Sequence, residues 1–246
     1  MPASSPVARI EAITIDLDDT LWPIRPTLVA AEARLARWLE AKAPATAASL
    51  DPERRASLRR RLVERHPDRA HDVSFLRRES LRLALEEAGE DPRLADPAFE
   101  VFLAARQEVE PYADVDEVLR HWASRYRLVA LSNGNADIAR IPCGRHFSAA
   151  VSAHEVGFAK PDPRIFAAAC EAAGVPARRC LHVGDDWHLD IAPARSAGMH
   201  VAWVRRPDFA HRPVPAEADV ADVPVFESLE AVDRWLHPVR AGPGRR

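Results

Sequence analysis

Four short apolar runs, each stopped by a polar turn, place the strongest limit on how this chain can fold. They are EAITIDLDD (11–19), YRLVALSNGN (126–135), RCLHVGDDWHLD (179–190) and GMHVAWVRR (198–206). A further apolar run, FSAAVSAHEVG, lies at 147–157. Helical periodicity separates them: ADVDEVLRHWASR (113–125), PRIFAAACEAAG (163–174, ending at Gly174) and DIAPARSAG (190–198, ending at Gly198). Strands that alternate with helices specify an α/β fold, a Rossmann-like parallel sheet with helices on both faces. Ligands of such open sheets sit beyond the carboxyl ends of the strands. The acidic turn at Asp16, Asp18 and Asp19, the turn Ser132–Asn133–Gly134 and the turn Gly184–Asp185–Asp186 therefore meet at one edge.

Between Trp22 and Pro111 the alternation stops. The segment is rich in Ala, Leu, Glu and Arg and reads as helices over TLVAAEARLARWLEAKA, DPERRASLRRRLVERHP, VSFLRRESLRLALEEAG and DPAFEVFLAARQEVE. Prolines bracket it, WPIRP on entry and EPY on exit, as in linkers between bodies that move. The expected organisation is a core at 1–21, an inserted all-helical cap at 22–110 and the rest of the core at 111–246, with a last short strand and helix in DVPVFESLEAVDRWL and a disordered end. The hinge is expected around Pro23, Pro26 and Pro111.

The chain has 246 residues, 47% hydrophobic and 29% charged, with a net charge of −3, which offers no global electrostatic footprint for nucleic acid or an anionic membrane. No apolar run approaches the length of a spanning helix and MPASSPVARIEA lacks the pattern of a signal peptide, so a cytoplasmic monomer or homodimer is expected. Cys143, Cys170 and Cys180 are an odd set without C-x-x-C spacing, which points to reduced core residues.

Residue usage singles out two positions. Lys and Arg total 34, yet the only lysines are Lys42, explained by a solvated helix end, and Lys160, which follows an apolar segment. An ammonium there is a compact point charge that arginine's planar fork does not replace. The only asparagines, Asn133 and Asn135, both lie in ALSNGNAD, where a short amide suits a tight turn and positions backbone donors.

Carboxylates that converge at a sheet edge repel one another unless a cation is supplied. A hard divalent ion held by oxygens, Mg²⁺ with one or two carboxylates and a substrate phosphate, is the natural solution, with Asp16 and Asp185 as direct ligands. A carboxylate can also attack phosphorus and form an aspartyl-phosphate. Asp18, two residues along an extended turn, is then placed to protonate the leaving alcohol and to deprotonate the attacking water. Ser132, the backbone amides of Asn133 and Gly134, and Lys160 fit the task of holding the phosphoryl group.

DLDDT, SNG, KPDP and GDDWHLD occur in the order and with the spacing of the four motifs of the haloacid dehalogenase superfamily of phosphohydrolases, which the chain resembles over essentially its whole length. The inserted segment matches the position of that family's first type of cap. The resemblance implies Asp16 as nucleophile, Asp18 as acid/base with its backbone carbonyl on Mg²⁺, Ser132 and Lys160 on the phosphoryl group and Asp185 on the metal. It implies Asp190 as the outer carboxylate that orients a metal water; of the two acids in GDD only one is expected to point inward, Asp185, with Asp186 behind it. Ile15 departs from the phenylalanine common in the family. Within the family, AITIDLDDTLW, HDVSFLRRES, ALSNGNAD, LHVGDDWHLD and AWVRRPD are similar to bacterial phosphatases that act on FMN and on 5-amino-6-(5-phosphoribitylamino)uracil.

The expected activity is a Mg²⁺-dependent phosphatase acting on a small phosphorylated metabolite. A 2-haloacid dehalogenase, a phosphomutase and a phosphate-ligand binding protein are the alternatives; Asp18 speaks against the first, because halide leaves unprotonated. His182 is expected as a hydrogen-bonded core residue and His188 as a loop residue. Arg54, Arg55, Arg59, Arg60, Arg61, Arg65 and Arg69 read as a solvated face paired with Glu53, Glu64 and Asp68. Trp22, His71 and Asp72 are candidate contacts for the organic part of the substrate.

Overall fold

The computed structural model describes residues 10–209, 214, 216, 220 and 222–238, so the expected disordered end lies outside the described residues. The strands are β1 (Ala12–Ile15), β2 (Arg127–Ser132), β3 (Ala149–Ser152), β4 (Cys180–Gly184), β5 (His200–Val204) and β6 (Val225–Phe226). All pair in parallel, in the order β3-β2-β1-β4-β5-β6. β1 lies at the centre, Ile15 facing Ala130 on one side and Val183 on the other.

The helices in chain order are α1 (Ile24–Lys42), α2 (Pro44–Ser49), α3 (Pro52–Arg65), α4 (Val73–Glu87), α5 (Ala95–Arg106), α6 (Val115–Ala123), α7 (Ala153–Val156), α8 (Pro163–Ala173), α9 (Ala192–Ser196) and α10 (Leu229–Leu236). Successive strand residues point to opposite faces, and the two faces read directly off the sequence. Ile13, Ile15, Leu128, Ala130, Leu181, Val183, Ala202 and Val204 pack with Val118, Leu119 and Trp122 of α6 and Val232 of α10. Ala12, Val129, Leu131, Cys180, Val201 and Trp203 pack with Ile165, Phe166 and Ala169 of α8 and Ala194 of α9. On that second face His182 is fully buried, bonded through Nδ1 to Thr14 Oγ1 at 2.8 Å and edge-on to Phe166, the core role expected of it. The three cysteines are free and buried.

Local signals set the helix ends. Asp51, Asp72, Asp162 and Ser228 each accept a backbone N–H of the first turn, and proline opens α3 and α8. Gly174 stops α8 in the left-handed conformation at φ 67°. The stretch expected as one helix after Asp190 divides into a wide π-type turn at Trp187–Ile191 and the short α9.

Helices α1–α5 carry an apolar cluster of their own, Leu35 and Leu39 of α1 meeting Leu58, Leu81, Leu85, Phe99 and Phe102. Two expectations fail in this region. Trp22 is fully buried against the sheet, packed with Leu21 and Val115, so it forms core and not a cap surface. The solvated face is present, with Arg59, Arg60, Arg61 and Arg65 exposed, but its expected pairing is not: Arg54 and Arg61 pair with Glu87, and Arg55 with Glu32 at 3.6 Å. Glu53, Glu64 and Asp68 are not their partners; inter-helix packing overrides spacing along α3. Among the described residues no helix is long and apolar enough to cross a membrane.

Candidate active site

β1 ends where Asp16 N–H donates to Val183 O at 2.9 Å, which places the Asp16 carboxylate above the centre of the sheet edge, 6% exposed. Its Oδ1 accepts from Lys160 Nζ at 2.5 Å, and the same ammonium donates to Asp190 Oδ1 at 2.6 Å. Lys160 is 4% exposed and Asp190 1%. The one lysine that residue usage could not explain as surface is thus buried between two carboxylates.

The surroundings of this triad fix its geometry. Asn133 holds Lys160 in place from the next turn, Oδ1 accepting from Lys160 N at 2.7 Å and Nδ2 donating to Lys160 O at 2.9 Å. The Asn133 side chain is therefore occupied by backbone, leaving only its main chain to face a ligand. His182 Nε2 lies 3.2 Å from Asp190 Oδ1, and Asp190 Oδ2 accepts from Asp186 N at 3.1 Å. A Cβ on Gly184 would meet the Asp190 side chain at 2.5 Å, so only glycine lets β4 end this close to it. Ser132 is buried, and its hydroxyl accepts from Gly134 N–H at 2.9 Å.

Electrostatics follow from burial. Desolvation pushes the Asp16 carboxyl up to about 7, against the pull of Lys160, with Asp190 and Asp18 adding to the rise. Desolvation opposes the Lys160 charge as well, but the two carboxylates more than offset it and the group is held protonated. Asp190 is also desolvated, yet Lys160 and His182 hold it ionised.

On the other side of Asp16, Thr20 Oγ1 donates to Oδ2 at 3.0 Å and lies 3.5 Å from Asp185 Oδ1. Carboxylate oxygens of Asp16, Asp185 and Asp190 all lie within 4.8 Å of one another. Oxygen-only donors around buried negative charge suit a hard divalent cation. Of this group Asp190 is committed to Lys160 and His182, so Asp16 and Asp185 are the pair that fits direct coordination. Trp203 Nε1 donates to Asp185 O at 2.8 Å and fixes that turn. Asp186 points elsewhere: its Oδ1 accepts from His188 N and Leu189 N, capping the π-type turn.

Asp18 stands apart from this cluster, in the wall of a cavity of about 390 Å³ between the sheet edge and α1, α3, α4 and α5. Both its oxygens accept from Arg106 Nη2 at 2.7 Å, and Oδ1 also accepts from Trp22 Nε1 at 2.9 Å. Arg106, the last residue of α5, is 2% exposed. Gly134 closes against this pair, since a Cβ there would sit 2.9 Å from Asp18 Oδ2. Asp19, at φ 63°, turns its carboxylate back to accept from Ile24 N at 3.0 Å and so starts α1.

The sequence reading missed three residues of this site. Arg106 resembles any other arginine of an arginine-rich chain. Thr20 was read only as the end of a motif. Arg206, 3% exposed, braces the acidic loop by donating to Thr20 O from Nε and Nη2 at 3.1 and 2.9 Å and to Asp114 from Nη1 at 2.9 Å. Asp72 is also reassigned: it is 1% exposed, caps α4 through Phe75 N, and binds Arg69 and His154 at 2.7 and 3.0 Å. His71 is not among the residues that line the cavity.

Comparison with known proteins adds an independent line. The model of the haloacid dehalogenase-like hydrolases matches residues 10–198. A curated relative, the 5-amino-6-(5-phospho-D-ribitylamino)uracil phosphatase YigB of Escherichia coli K12, is 32% identical over 204 residues, 81% of this chain and 85% of that protein. The phosphoserine phosphatase of Thermus thermophilus is 37% identical over 131 residues, 51% of this chain and 53% of that one. The crystal structure of a 2-haloacid dehalogenase from Pseudomonas syringae pv. tomato DC3000 superposes with a TM-score of 0.84 at 38% identity, over 92% of this chain and 99% of that one. With its parallel sheet, its four motif turns at one edge and a match across three quarters of its length, this chain belongs to the haloacid dehalogenase-like hydrolases.

Proposed function

We propose that this chain is a Mg²⁺-dependent phosphomonoesterase that works through an acyl-phosphate of Asp16. The observation that carries the reading is the division of labour between two carboxylates: Asp16 buried on Lys160, and Asp18 two residues on in the cavity wall, where a leaving alcohol would lie. Asp16 Oδ attacks phosphorus and the ester bond to the alcohol breaks. In its protonated form Asp18 gives its proton to the departing oxygen, and the carboxylate left behind takes one from the water that hydrolyses the acyl-phosphate. Ser132, the main-chain amide of Asn133 and Lys160 hold the phosphoryl oxygens, and the Gly134 amide, bonded to Ser132 Oγ at 2.9 Å, positions that hydroxyl. Asp16, Asp185 and the Asp18 carbonyl would hold Mg²⁺, which would supply positive charge against the transferring group. Asp190 fixes Lys160 and Asp186 fixes the turn that carries Asp185.

The preferred substrates are FMN and 5-amino-6-(5-phosphoribitylamino)uracil, supported by the resemblance to YigB. Residues 22–110 serve as a cap that opens for exchange and closes for chemistry, hinged near Pro23, Pro26 and Pro111. Scattering profiles with and without a phosphate mimic should differ; identical profiles would remove the hinge.

The deciding test is phosphate release from a panel that includes FMN, with Mg²⁺ or EDTA, and Asp16→Asn as the blank. Release that needs metal and vanishes in the mutant supports the reading. The name of the Pseudomonas syringae structure favours a second reading, carbon–halogen hydrolysis by the same aspartate. Chloride release from 2-chloropropionate in EDTA, without phosphate release, would establish it.

A further inference from the structure

The cavity above Asp18 holds two buried polar atoms without a hydrogen-bond partner, Arg106 Nη1 and Glu32 Oε2. Such atoms each cost free energy until a partner is supplied. Arg106 spends Nη2 on Asp18 and keeps a donor for the cavity. Glu32 spends Oε1 on Arg77 Nη1 at 2.7 Å, while Arg55 stands 3.6 Å from Oε2, beyond hydrogen-bond range. Arg77 is itself fixed, its guanidinium carbon 3.7 Å from the centre of the Phe102 ring. Leu28, Leu35, Leu76, Leu81 and Phe102 give the cavity an apolar wall, with Arg59, Ser80 and Asn135 also on its lining.

The spacing comes from α1. Ile24, whose N–H is bonded to Asp19, and Glu32 both line the cavity, and eight residues of helix separate them by about 12 Å. A three-carbon chain reaches only about 4 Å, little more than one extended residue.

Resting on the phosphatase reading, we infer that this cavity selects extended phosphate monoesters, with an oxygen acceptor beside the ester for Arg106 Nη1 and an N–H or O–H donor at the far end for Glu32 Oε2. A ribityl phosphate joined to a ring with an N–H meets both demands. Phosphoserine and glyceraldehyde 3-phosphate satisfy Arg106 and leave Glu32 unmet.

The test compares kcat/KM for FMN, phosphoserine and glyceraldehyde 3-phosphate in the wild type, Glu32→Ala and Glu32→Gln. FMN should be preferred by tenfold or more in the wild type. Glu32→Ala should lower the FMN to phosphoserine ratio at least tenfold, the value of one hydrogen bond to a charged group. Glu32→Gln, whose amide oxygen still accepts, should lower it less. The ratio is taken within one protein, so a loss of folded enzyme cancels. An unchanged ratio, or three-carbon substrates turned over as well as FMN, overturns the inference. If no compound releases phosphate, the hydrolase reading fails by itself, and riboflavin fluorescence then decides the cavity. Binding that weakens tenfold in Glu32→Ala upholds the inference; equal affinity, or no binding to the wild type, overturns it.

Discussion

The floor and the roof of the site are both polar and both buried, yet they are built differently. On the floor the carboxylates are saturated, Asp16 by Lys160 and Thr20 and Asp190 by Lys160, His182 and the Asp186 amide, while Lys160 keeps one of its three donors for the phosphoryl group. In the roof, Arg106 and Glu32 each keep an atom in reserve. A saturated network is rigid and preorganised, the condition for charge stabilisation in a transition state. Atoms held in reserve are satisfied only when something enters. The difference assigns chemistry to the floor and choice to the roof.

The largest effect should come from emptying the floor. Lys160→Met leaves the Asp16 and Asp190 carboxylates buried without their cation, a loss of about 3–5 kcal/mol in stability, and denaturant titration in EDTA reads it. A loss below about 1 kcal/mol would mean that the two acids hold each other through a shared proton, and the saturated-network picture would break. Next in size is the cation. Mg²⁺ at a hundred times its dissociation constant should add about 2.7 kcal/mol to the folded state, seen as a raised melting temperature that Asp185→Asn abolishes. The same shift in Asp185→Asn would move the ion away from this turn.

How far each region could be read from sequence follows the same division. The floor is built at strand ends, where sheet topology brings short motifs together whatever their distance in the chain, and scarcity marked Lys160 in a chain with two lysines. The faces of β1, β2, β4 and β5 were legible because side chains alternate with a period of two. The roof lies on helices whose mutual packing no local pattern specifies. Arg106 meets Asp18 across 88 residues, and Glu32 meets Arg77 across 45. Trp22 shows the opposite error: an aromatic at the entry to the cap reads as a ligand contact, but it completes the core and steadies Asp18. The short α2 was missed because PATAAS carries no apolar periodicity.

A smaller effect tests what ties roof to floor. Asp72 caps α4 and also reaches His154 of α7 on the core side. Asp72→Ala should cost about 1–2 kcal/mol, the value of a helix cap, measured by thermal unfolding. Its acid sensitivity has a definite sign. Burial opposes the Asp72 charge, but Arg69, the Phe75 N–H and His154 outweigh it and lower the pKa below 3.8. The unfolded chain therefore binds the proton first as pH falls, so the contribution of Asp72 is full above about pH 4 and disappears as pH drops through the folded value. The wild type and Asp72→Ala should converge in stability as pH falls below about 4; a constant gap would assign the effect to packing alone.

The smallest effect lies on the outside of the roof, and it is the sharpest check that only the inward-facing polar groups matter. Arg61 and Arg54 both reach Glu87, and Arg61 is 44% exposed at the side chain. Two arginines on one exposed acid are redundant, and each ion pair competes with water and salt. Arg61→Ala should therefore change stability by less than about 0.5 kcal/mol, and kcat/KM for FMN should stay within twofold. Glu32 is, like Glu87, an acid set between two arginines, and differs chiefly in facing the cavity. If Arg61→Ala altered the FMN to phosphoserine ratio as strongly as Glu32→Ala, recognition would belong to the general charge of the arginine-rich helices. A ratio that moves only for Glu32 would place it in the cavity, at one oxygen of one side chain.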